Sequence, residues 1–425
     1  MAGSLQLSMT STGVGANANT VNVSNTNAND FLFDVGAANT LVLTNSSPGS
    51  LVITGNSSNQ VTVNFAAGGS ISSLTLAGGR GQDDFTLGDV NGSSNPLNTA
   101  TDFGVNIDSA SVSSGNIFDS LNIIGEVSTA GAGNFQTSNS TTSNQNLGQI
   151  DIAPTGSFLA LGGNVVLTAN AQAGSSITIS TGAVVQTGIG SIDLTADNSV
   201  SPLGKIFLAG SPLATNGGSL NINSGLVLSD NTTLNTGAAS TGNITFQSTV
   251  DGNGLPPAEN LTLQTAGVIT FNGNIGTSSA LGDLIINSQN PTSLKLTGNI
   301  SANSFQTASA VNGTIEIVGT QNYLTTTGVQ LKTAGASGDV TFNGNITFTN
   351  TATNVSVAHS GSLLIAGNIG KIDNKNNVFL GALFNETNVT VSGPLTSVSF
   401  PTGQSGSNYQ VNDLVIISSS SSTSN

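Results

Sequence analysis

The 425-residue chain contains no cysteine and no tryptophan. Without cysteine it can have no disulfide framework, no thiolate metal site and no cysteine nucleophile. Charged residues make up only 6% of the chain, against about a quarter in typical globular proteins. The surface must therefore be covered by Ser, Thr, Asn and Gly. This composition suits the outward positions of strands and disfavours helices, which rely on Glu, Lys and Arg for solubility.

Basic residues and long apolar runs are also scarce. Six Lys and Arg stand against 21 Asp and Glu, a formal net charge of −15, which argues against nucleic acid and anionic membranes as partners. The densest apolar run, Phe158 to Leu167, is interrupted by Gly162, Gly163 and Asn164, so no membrane insertion is predicted. The N-terminus lacks the pattern of a signal peptide, and we expect either a piece of a longer protein or another export signal.

The sequence does contain a short phrase that returns at almost even steps between Gly242 and Gly370, with a weaker copy before them. Each copy begins with an apolar residue, and the step between copies averages about 24 residues, a period typical of a solenoid. The step from Leu296 to Ile317 is the shortest. The copies are Ile222–Leu226, Phe246–Val250, Phe271–Ile275, Leu296–Ile300, Ile317–Gln321, Phe342–Ile346 and Ile365–Ile369.

The aligned copies form columns with distinct chemistry. The first column is wholly apolar, so its side chains should point inward and stack from coil to coil. The third column becomes glycine from Gly273 onward, where we expect the chain to bend with a positive φ. The fourth is mostly Asn or Thr, whose side chains can hydrogen-bond to one another and to the backbone of the bend. The fifth is apolar except at Gln321, near which we expect a distorted coil.

A third strand fits between copies, for example at Leu261–Leu263 and Leu284–Ile286. Three strands in each repeat predict an all-β fold, a parallel β-helix (β-solenoid) with coils of about 24 residues. An array of helical units is disfavoured, because Gly, Asn and Thr interrupt every window long enough for an amphipathic helix.

One outward column tests this alignment. The residues immediately before the inward column include one cation, Lys295, and one anion, Glu316, in neighbouring copies. We predict that the two side chains meet across adjacent coils. An exposed pair of this kind contributes at most about 1 kcal/mol, so it reports register rather than stability.

The chain divides by pattern into four parts. Apolar clusters about nine to eleven residues apart predict an irregular β region over residues 1–127, either a cap or a set of smaller coils. Residues 128–149 are predicted to be a polar loop or boundary, and residues 150–400 the parallel β-helix. Residues 401–425 are predicted to hold a last strand and a disordered Ser-rich tail.

Three phrases resemble the β-strand repeats of large bacterial surface proteins of the filamentous-haemagglutinin and autotransporter-adhesin type. They are Gly-Asn-Ile-Thr-Phe ending at Phe246, Leu-Thr-Leu-Gln-Thr-Ala-Gly-Val-Ile-Thr-Phe-Asn-Gly-Asn-Ile ending at Ile275, and Gly-Asp-Val-Thr-Phe-Asn-Gly-Asn-Ile ending at Ile346. The resemblance spans roughly residues 150–370. It implies a right-handed parallel β-helix, secretion to the cell surface, and a role in adhesion, aggregation or sheath formation.

A candidate metal site lies earlier in the chain. Residues 78–86, Gly-Gly-Arg-Gly-Gln-Asp-Asp-Phe-Thr, match one unit of a calcium-binding nonapeptide repeat, in which glycine carbonyls and an Asp oxygen surround Ca²⁺. A complete site takes ligands from two consecutive units, and only one is present. Asp83, Asp84 and Asp89 are therefore candidate ligands of a calcium half-site. The alternative is a glycine turn with a solvated acidic pair.

Polysaccharide-processing enzymes share this fold and are the main alternative function. A glycosidase needs clustered carboxylates about 5 to 9.5 Å apart. Besides Asp83 and Asp84, the acidic pairs close in sequence are Asp193 with Asp197 and Asp30 with Asp34. A lyase needs a basic residue beside calcium, and Arg80 is the one arginine. His359 has no partner in sequence, so no catalytic residue is predicted.

These observations predict a non-enzymatic structural or adhesive β-solenoid, a stalk, fibre or adhesin segment, at the bacterial cell surface or outside the cell. A self-assembling filament or sheath subunit is an alternative within binding proteins. The expected partners are further copies of the chain or cell-surface glycans. No cofactor is expected apart from calcium.

Overall fold

A computed structural model of the chain describes strands and the turns between them, with no helix in the residues it describes. The chain comprises two compact units, Met1–Leu226 and Val227–Asn425. In each, the described strands pair in parallel as stacked coils of a β-solenoid, which confirms the predicted fold class. The described residues are 19–22, 31–33, 50–54, 59–63, 70–71, 73–78, 83–87, 97–99, 103–107, 117–137, 145–169, 175–196, 203–237, 242–287, 291–334, 338–348, 355–358, 363–365, 369–371 and 389–392.

The strands of the first unit are mostly short. They are β1 (Asn19–Asn22), β2 (Phe31–Phe33), β3 (Ser50–Thr54), β4 (Asn59–Val63), β5 (Ser70–Ile71), β6 (Ser73–Gly78), β7 (Asp83–Leu87), β8 (Leu97–Thr99), β9 (Phe103–Ile107), β10 (Ile117–Ile123), β11 (Glu126–Thr129), β12 (Gly133–Thr137), β13 (Gln145–Ile152), β14 (Ser157–Ala160), β15 (Val165–Ala169), β16 (Ser176–Ile179), β17 (Val184–Thr187), β18 (Ile192–Ala196), β19 (Lys205–Ala214) and β20 (Leu220–Ile222).

The strands of the second unit follow the same plan. The first of them begins just before the division between the units. They are β21 (Gly225–Asn235), β22 (Ile244–Phe246), β23 (Val250–Gly252), β24 (Leu261–Gln264), β25 (Val268–Phe271), β26 (Leu281–Ile286), β27 (Ser293–Leu296), β28 (Ile300–Thr307), β29 (Thr314–Ile317), β30 (Gln321–Lys332), β31 (Val340–Phe342), β32 (Ile346–Phe348), β33 (Val355–Ala358), β34 (Leu363–Ile365), β35 (Ile369–Lys371) and β36 (Val389–Ser392).

The core of the first unit is a set of inward columns. Val165 in β15 pairs with Ile192 in β18, and Ile192 pairs with Leu220 in β20, one coil further along in each case. Burial alternates strictly along β15 and β18, because successive residues of a strand point to opposite faces. Each coil therefore needs an apolar side chain at only every second strand position.

The described strands before residue 127 also pair in parallel, each with a strand one coil further along. Asn19 pairs with Leu51, Ser50 with Ser73 and Leu74 with Phe103, so the paired residues are separated by a whole coil and not by the distance between two apolar clusters. The shorter spacing of apolar clusters in the sequence therefore marks successive strands within a coil. The expectation of smaller coils in this part of the chain is wrong for the described strands.

The segment 128–149, expected as a polar loop or boundary, forms strands at both of its ends, whereas residues 138–144 lie outside the described residues. It contains the second half of β11, all of β12 and the first residues of β13, and Gly133 pairs with both Phe103 and Val165. A polar segment can form strands here, because the outward half of each strand needs no apolar residue. The division between the units lies much later, after Leu226.

In the second unit, the predicted inward column is confirmed pair by pair. The rings of Phe246 and Phe271 stack with their centroids 4.4 Å apart and their planes 10° apart. The third strand of each coil is confirmed as well, since Leu261 pairs with Leu284. The column runs Phe246, Phe271, Leu296, Ile317, Phe342, Ile365, each residue paired with the next.

The predicted glycine column exists, but the reason for glycine is different. Gly273, Gly298, Gly319 and Gly344 are not among the glycines with a positive φ. A Cβ on any of them would come closer than 3.0 Å to backbone atoms of the preceding coil, for example the carbonyl oxygen of Gly273 below Gly298. These residues are glycine because two backbones approach closely, not because the chain turns left-handed.

The Asn column next to it bonds to backbone, as predicted. The Asn274 Oδ1 accepts a hydrogen bond from the backbone N–H of Asn299 at 2.9 Å, and the Asn299 Oδ1 accepts one from Thr320 at 2.9 Å. The same device recurs at Asn243, whose Oδ1 accepts from the Val268 N–H at 2.9 Å. Asparagine thus satisfies donors of the next coil where the strands bend.

Candidate interaction surface

The candidate calcium ligands lie in the first unit. Asp83 and Asp84 are the first two residues of β7, where their backbones pair with Asn59 and Gln60 of β4. Asp89 lies outside the described residues. The calcium half-site therefore stays a prediction.

Each of the other acidic pairs that the sequence offers to an enzyme includes a residue outside the described ranges. Asp193 is on the outward face of β18, where its Oδ1 accepts a hydrogen bond of 2.6 Å from the Asn221 side-chain amide one coil later. Asp197 and His359 lie outside the described residues, as do Asp30 and Asp34. The one environment described for these residues is a polar contact between coils.

The second unit presents a regular outward surface on the sheet that carries the Phe246 column. The Lys295 Nζ and the Glu316 Oε2 are 3.2 Å apart on it, and their backbones are in register, so the predicted pair is confirmed. Two residues after the positions of Lys295 and Glu316 lies a second row of outward side chains, and in it the Asn272 side-chain amide donates to the Gln247 Oε1 at 2.7 Å. We call the surface formed by these two rows, or ranks, the polar face. Its first rank is Thr245, Thr270, Lys295, Glu316 and Thr341, and its second is Gln247, Asn272, Thr297, Val318 and Asn343.

A second feature is the corner that follows the fifth column, where the coils differ in length. The connection is longest from Val250 to Leu261 and shortest from Ile300 to Phe305, although both ends of these connections are in register from coil to coil. The short step from Leu296 to Ile317 in the sequence is accounted for by the short corner after Ile300. We call residues 251–260, 276–283, 301–304 and 322–328 the loop corner.

Two buried carboxylates hold the longest loops of this corner. The Glu259 Oε2 accepts a hydrogen bond of 3.1 Å from the Asn253 N–H, and the Asp251 Oδ1 accepts one of 2.8 Å from the Ser278 N–H. Both residues are at least nine-tenths buried. Their oxygens thus satisfy loop amides that would otherwise lack acceptors. The loop they hold exposes two-thirds of Leu255 to solvent.

A ladder of polar side chains continues along this corner. The Asn231 Oδ1 accepts from the Asn260 N–H at 2.8 Å, the Asn260 Oδ1 accepts from the Asp283 N–H at 2.6 Å, and the Asp283 Oδ1 accepts from the Ser304 hydroxyl at 2.6 Å. Nevertheless, across the part of the chain that the structure describes, no three His, Cys, Asp or Glu side chains form a group that could hold a metal ion. The ladder links coils to one another.

The sequence did not indicate the loop corner as a site, because its loops do not repeat. Asp251 and Glu259 belong to one irregular loop, and no spacing rule connects them. The one available signal was the uneven step of the repeat. Inward-facing threonines were not predicted either: the Thr187 hydroxyl donates to the Gly190 carbonyl at 2.5 Å, and the Thr215 hydroxyl donates to the Gly218 carbonyl at 2.5 Å. Each satisfies a carbonyl at a corner inside the coil.

In the described residues, no helix is long and apolar enough to cross a membrane. No family model matches the chain, and neither a curated protein nor a solved structure is significantly similar to it.

Proposed function

We propose that this chain is a non-enzymatic structural or adhesive β-solenoid that acts at the cell surface or outside the cell. The observation that supports the proposal best is the polar face. It presents hydroxyl or amide side chains on four of its five coils in fixed register, with a single ion pair among them. The strand spacing of about 4.8 Å sets the repeat of this face.

Such a face suits a long hydroxylated partner, such as a cell-surface glycan. Each hydrogen bond to a hydroxyl replaces one to water, so a single contact contributes about 1 kcal/mol. Contacts repeated along the stack act together, because once one segment of a polymer is bound, the next is held at high effective concentration. A rigid support favours this arrangement, since little side-chain order has to be gained on binding.

Retention on immobilised polysaccharides tests the proposal. The variant Asn272→Ala/Thr297→Ala/Asn343→Ala removes three side chains of the second rank, which are exposed and solvent-facing. On a polysaccharide that retains the unaltered protein, we expect this variant to elute earlier than the unaltered protein. The matched control is Thr262→Ala/Gln264→Ala, on the outward side of β24 in a different sheet. Equal retention of all three proteins would contradict a binding role for the polar face.

Two further measurements on the purified protein distinguish the alternative functions. Electron microscopy that shows filaments whose length grows with protein concentration would favour a self-assembling subunit, whereas single particles favour an adhesive or stalk segment. An assay on acidic polysaccharides, run with and without calcium, tests the enzymatic alternative. Release of shortened or unsaturated sugars would overturn the non-enzymatic assignment.

A further inference from the structure

The interior of the second unit contains a polar pair in an otherwise apolar stack. The fifth column runs Val250, Ile275, Ile300, Gln321, Ile346, so Gln321 has an isoleucine on each side of it. Its side chain is fully buried. The Gln321 Oε1 accepts a hydrogen bond of 2.6 Å from the Tyr323 hydroxyl, two residues further along the same strand.

One end of the Gln321 amide is unsatisfied. Its Nε2 is buried and has no hydrogen-bond partner, the one such side-chain atom in the described part of the chain. At the other end, burial raises the pKa of the Tyr323 hydroxyl well above its ordinary value, so this donor keeps its proton. A buried amide group without a partner loses its hydration with no compensating bond, and this destabilises the coil that contains it.

The backbone of the same coil is irregular, as predicted for the neighbourhood of Gln321. Ala302 in β28 pairs with Tyr323 in β30, but the next pair is Ser304 with Gly328. One residue of β28 therefore faces four of β30. The insertion is fastened by the Thr325 hydroxyl, which donates to the Asn303 carbonyl at 2.9 Å.

Gly328 closes this insertion. It has a φ of 59°, a left-handed conformation that favours glycine, and there the strand returns to register. The ladder between β28 and β30 is thus interrupted shortly after the unsatisfied amide. The strand segments Leu261 to Leu263 and Leu284 to Ile286, which serve for comparison, pair without a shift.

We propose that the coil containing β30 is a built-in opening point of the second unit, the place where adjacent coils separate first. Two independent features coincide there, a buried amide without a partner and a broken backbone ladder. In a solenoid each coil contacts only its neighbours, so a local weakness stays local and does not spread through a common core. An opening point lets the unit yield at one coil while the coils on both sides remain folded.

Hydrogen exchange of the full chain, followed by mass spectrometry, tests this proposal. We expect peptides that cover residues 321–332 to exchange roughly ten times faster than peptides that cover 261–287, under conditions where the protein is folded. The double variant Gln321→Ile/Tyr323→Phe restores an apolar column and removes the hydroxyl that would lose its acceptor. It should slow exchange in 321–332 roughly tenfold and leave 261–287 unchanged.

A second variant moves the same readout in the opposite direction. Tyr323→Phe alone removes the donor to the Gln321 oxygen and should speed exchange in 321–332. The control Glu316→Gln alters an outward side chain of β29 and should not change that segment. The proposal is overturned if 321–332 exchanges as slowly as 261–287 in the unaltered chain. It is also overturned if the double variant leaves the rate in 321–332 unchanged.

Discussion

At the scale of single residues, the identity of a side chain is decided by what lies one coil away. Gly298 is small because a carbonyl of the preceding coil occupies the space of its Cβ, and Asn299 is an amide because the next coil offers a backbone N–H. Neighbours in sequence matter less than neighbours along the stack. Substitutions at these residues therefore test the stacking directly.

Replacing Gly298 with alanine should destabilise the second unit by about 2 kcal/mol or more, because backbone atoms of the preceding coil cannot rotate away from the added Cβ. Alanine also restricts the unfolded chain, which offsets less than about 1 kcal/mol of that cost. Urea unfolding measures the difference. The control is Ser248→Ala, since Ser248 stands in the same column and already carries a Cβ. Gly298→Ala with unchanged stability would mean that the coils are not stacked as closely as described.

Replacing Asn299 with alanine should lower the free energy of unfolding by about 1 kcal/mol, because the Thr320 N–H loses its acceptor. Asn299→Asp keeps an acceptor oxygen in the same place and serves as the matched variant. We expect thermal unfolding at neutral pH to rank the proteins as unaltered, Asn299→Asp, Asn299→Ala in order of decreasing stability. Equal melting of the two variants would argue that the side-chain oxygen contributes nothing.

At the scale of strands, register is the quantity that the repeat encodes. A shift of one residue would turn every inward side chain of a strand outward, so the alternation of apolar residues leaves one acceptable alignment. The ion pair between Lys295 in β27 and Glu316 in β29 shows this alignment on the outward face. The stacked rings of Phe246 and Phe271 show it on the inward face.

A double-mutant cycle with Lys295→Gln and Glu316→Gln should give a coupling energy below about 1 kcal/mol, because both side chains are about half exposed. The coupling should shrink further at high salt, where exposed charges are screened. Denaturant unfolding at low and high ionic strength measures both quantities. A coupling well above this value, or one insensitive to salt, would be inconsistent with an exposed pair.

At the scale of the whole molecule, the chain folds as two units of stacked coils and relies chiefly on uncharged polar groups for its hydration. It has 6% charged residues and a net charge of −15, so hydroxyls, amides and backbone must make most of its contacts with water. Within each unit, coils contact the coils beside them, and stability is expected to be a sum of coil and neighbour contributions.

This organisation predicts how far along the unit a destabilising substitution has an effect. In the Gly298→Ala variant, hydrogen exchange should accelerate most in residues 268–307, around the altered contact, and least in residues 338–348, further along the stack. Mass spectrometry of peptides from the folded protein measures the gradient. A uniform acceleration across the second unit would show one cooperative block instead of coils that act through their neighbours.

Much of the second unit could be predicted because its information is local and repeated. The apolar column from Phe246, the third strand at Leu261–Leu263 and the contact of Lys295 with Glu316 all follow from aligning copies. The first unit was harder to predict, since its coils vary more in length and apolar clusters within a coil resemble separate small coils. The loop corner was not predicted, because the loops of Asp251 and Glu259 occur once each.

The sequence by itself determined that the chain is a stack of parallel strands, since a period of about 24 residues with alternating apolar positions satisfies every coil only in that arrangement. It also placed Gln321 at the irregular coil. Only the tertiary structure decided why Gly298 is glycine, which carboxylates hold the loops, and that the Gln321 amide faces Tyr323 with one end unsatisfied. Those facts depend on distances between atoms of different coils. Aligned copies of the repeat show which residues are neighbours along the stack, but not how closely their backbones approach.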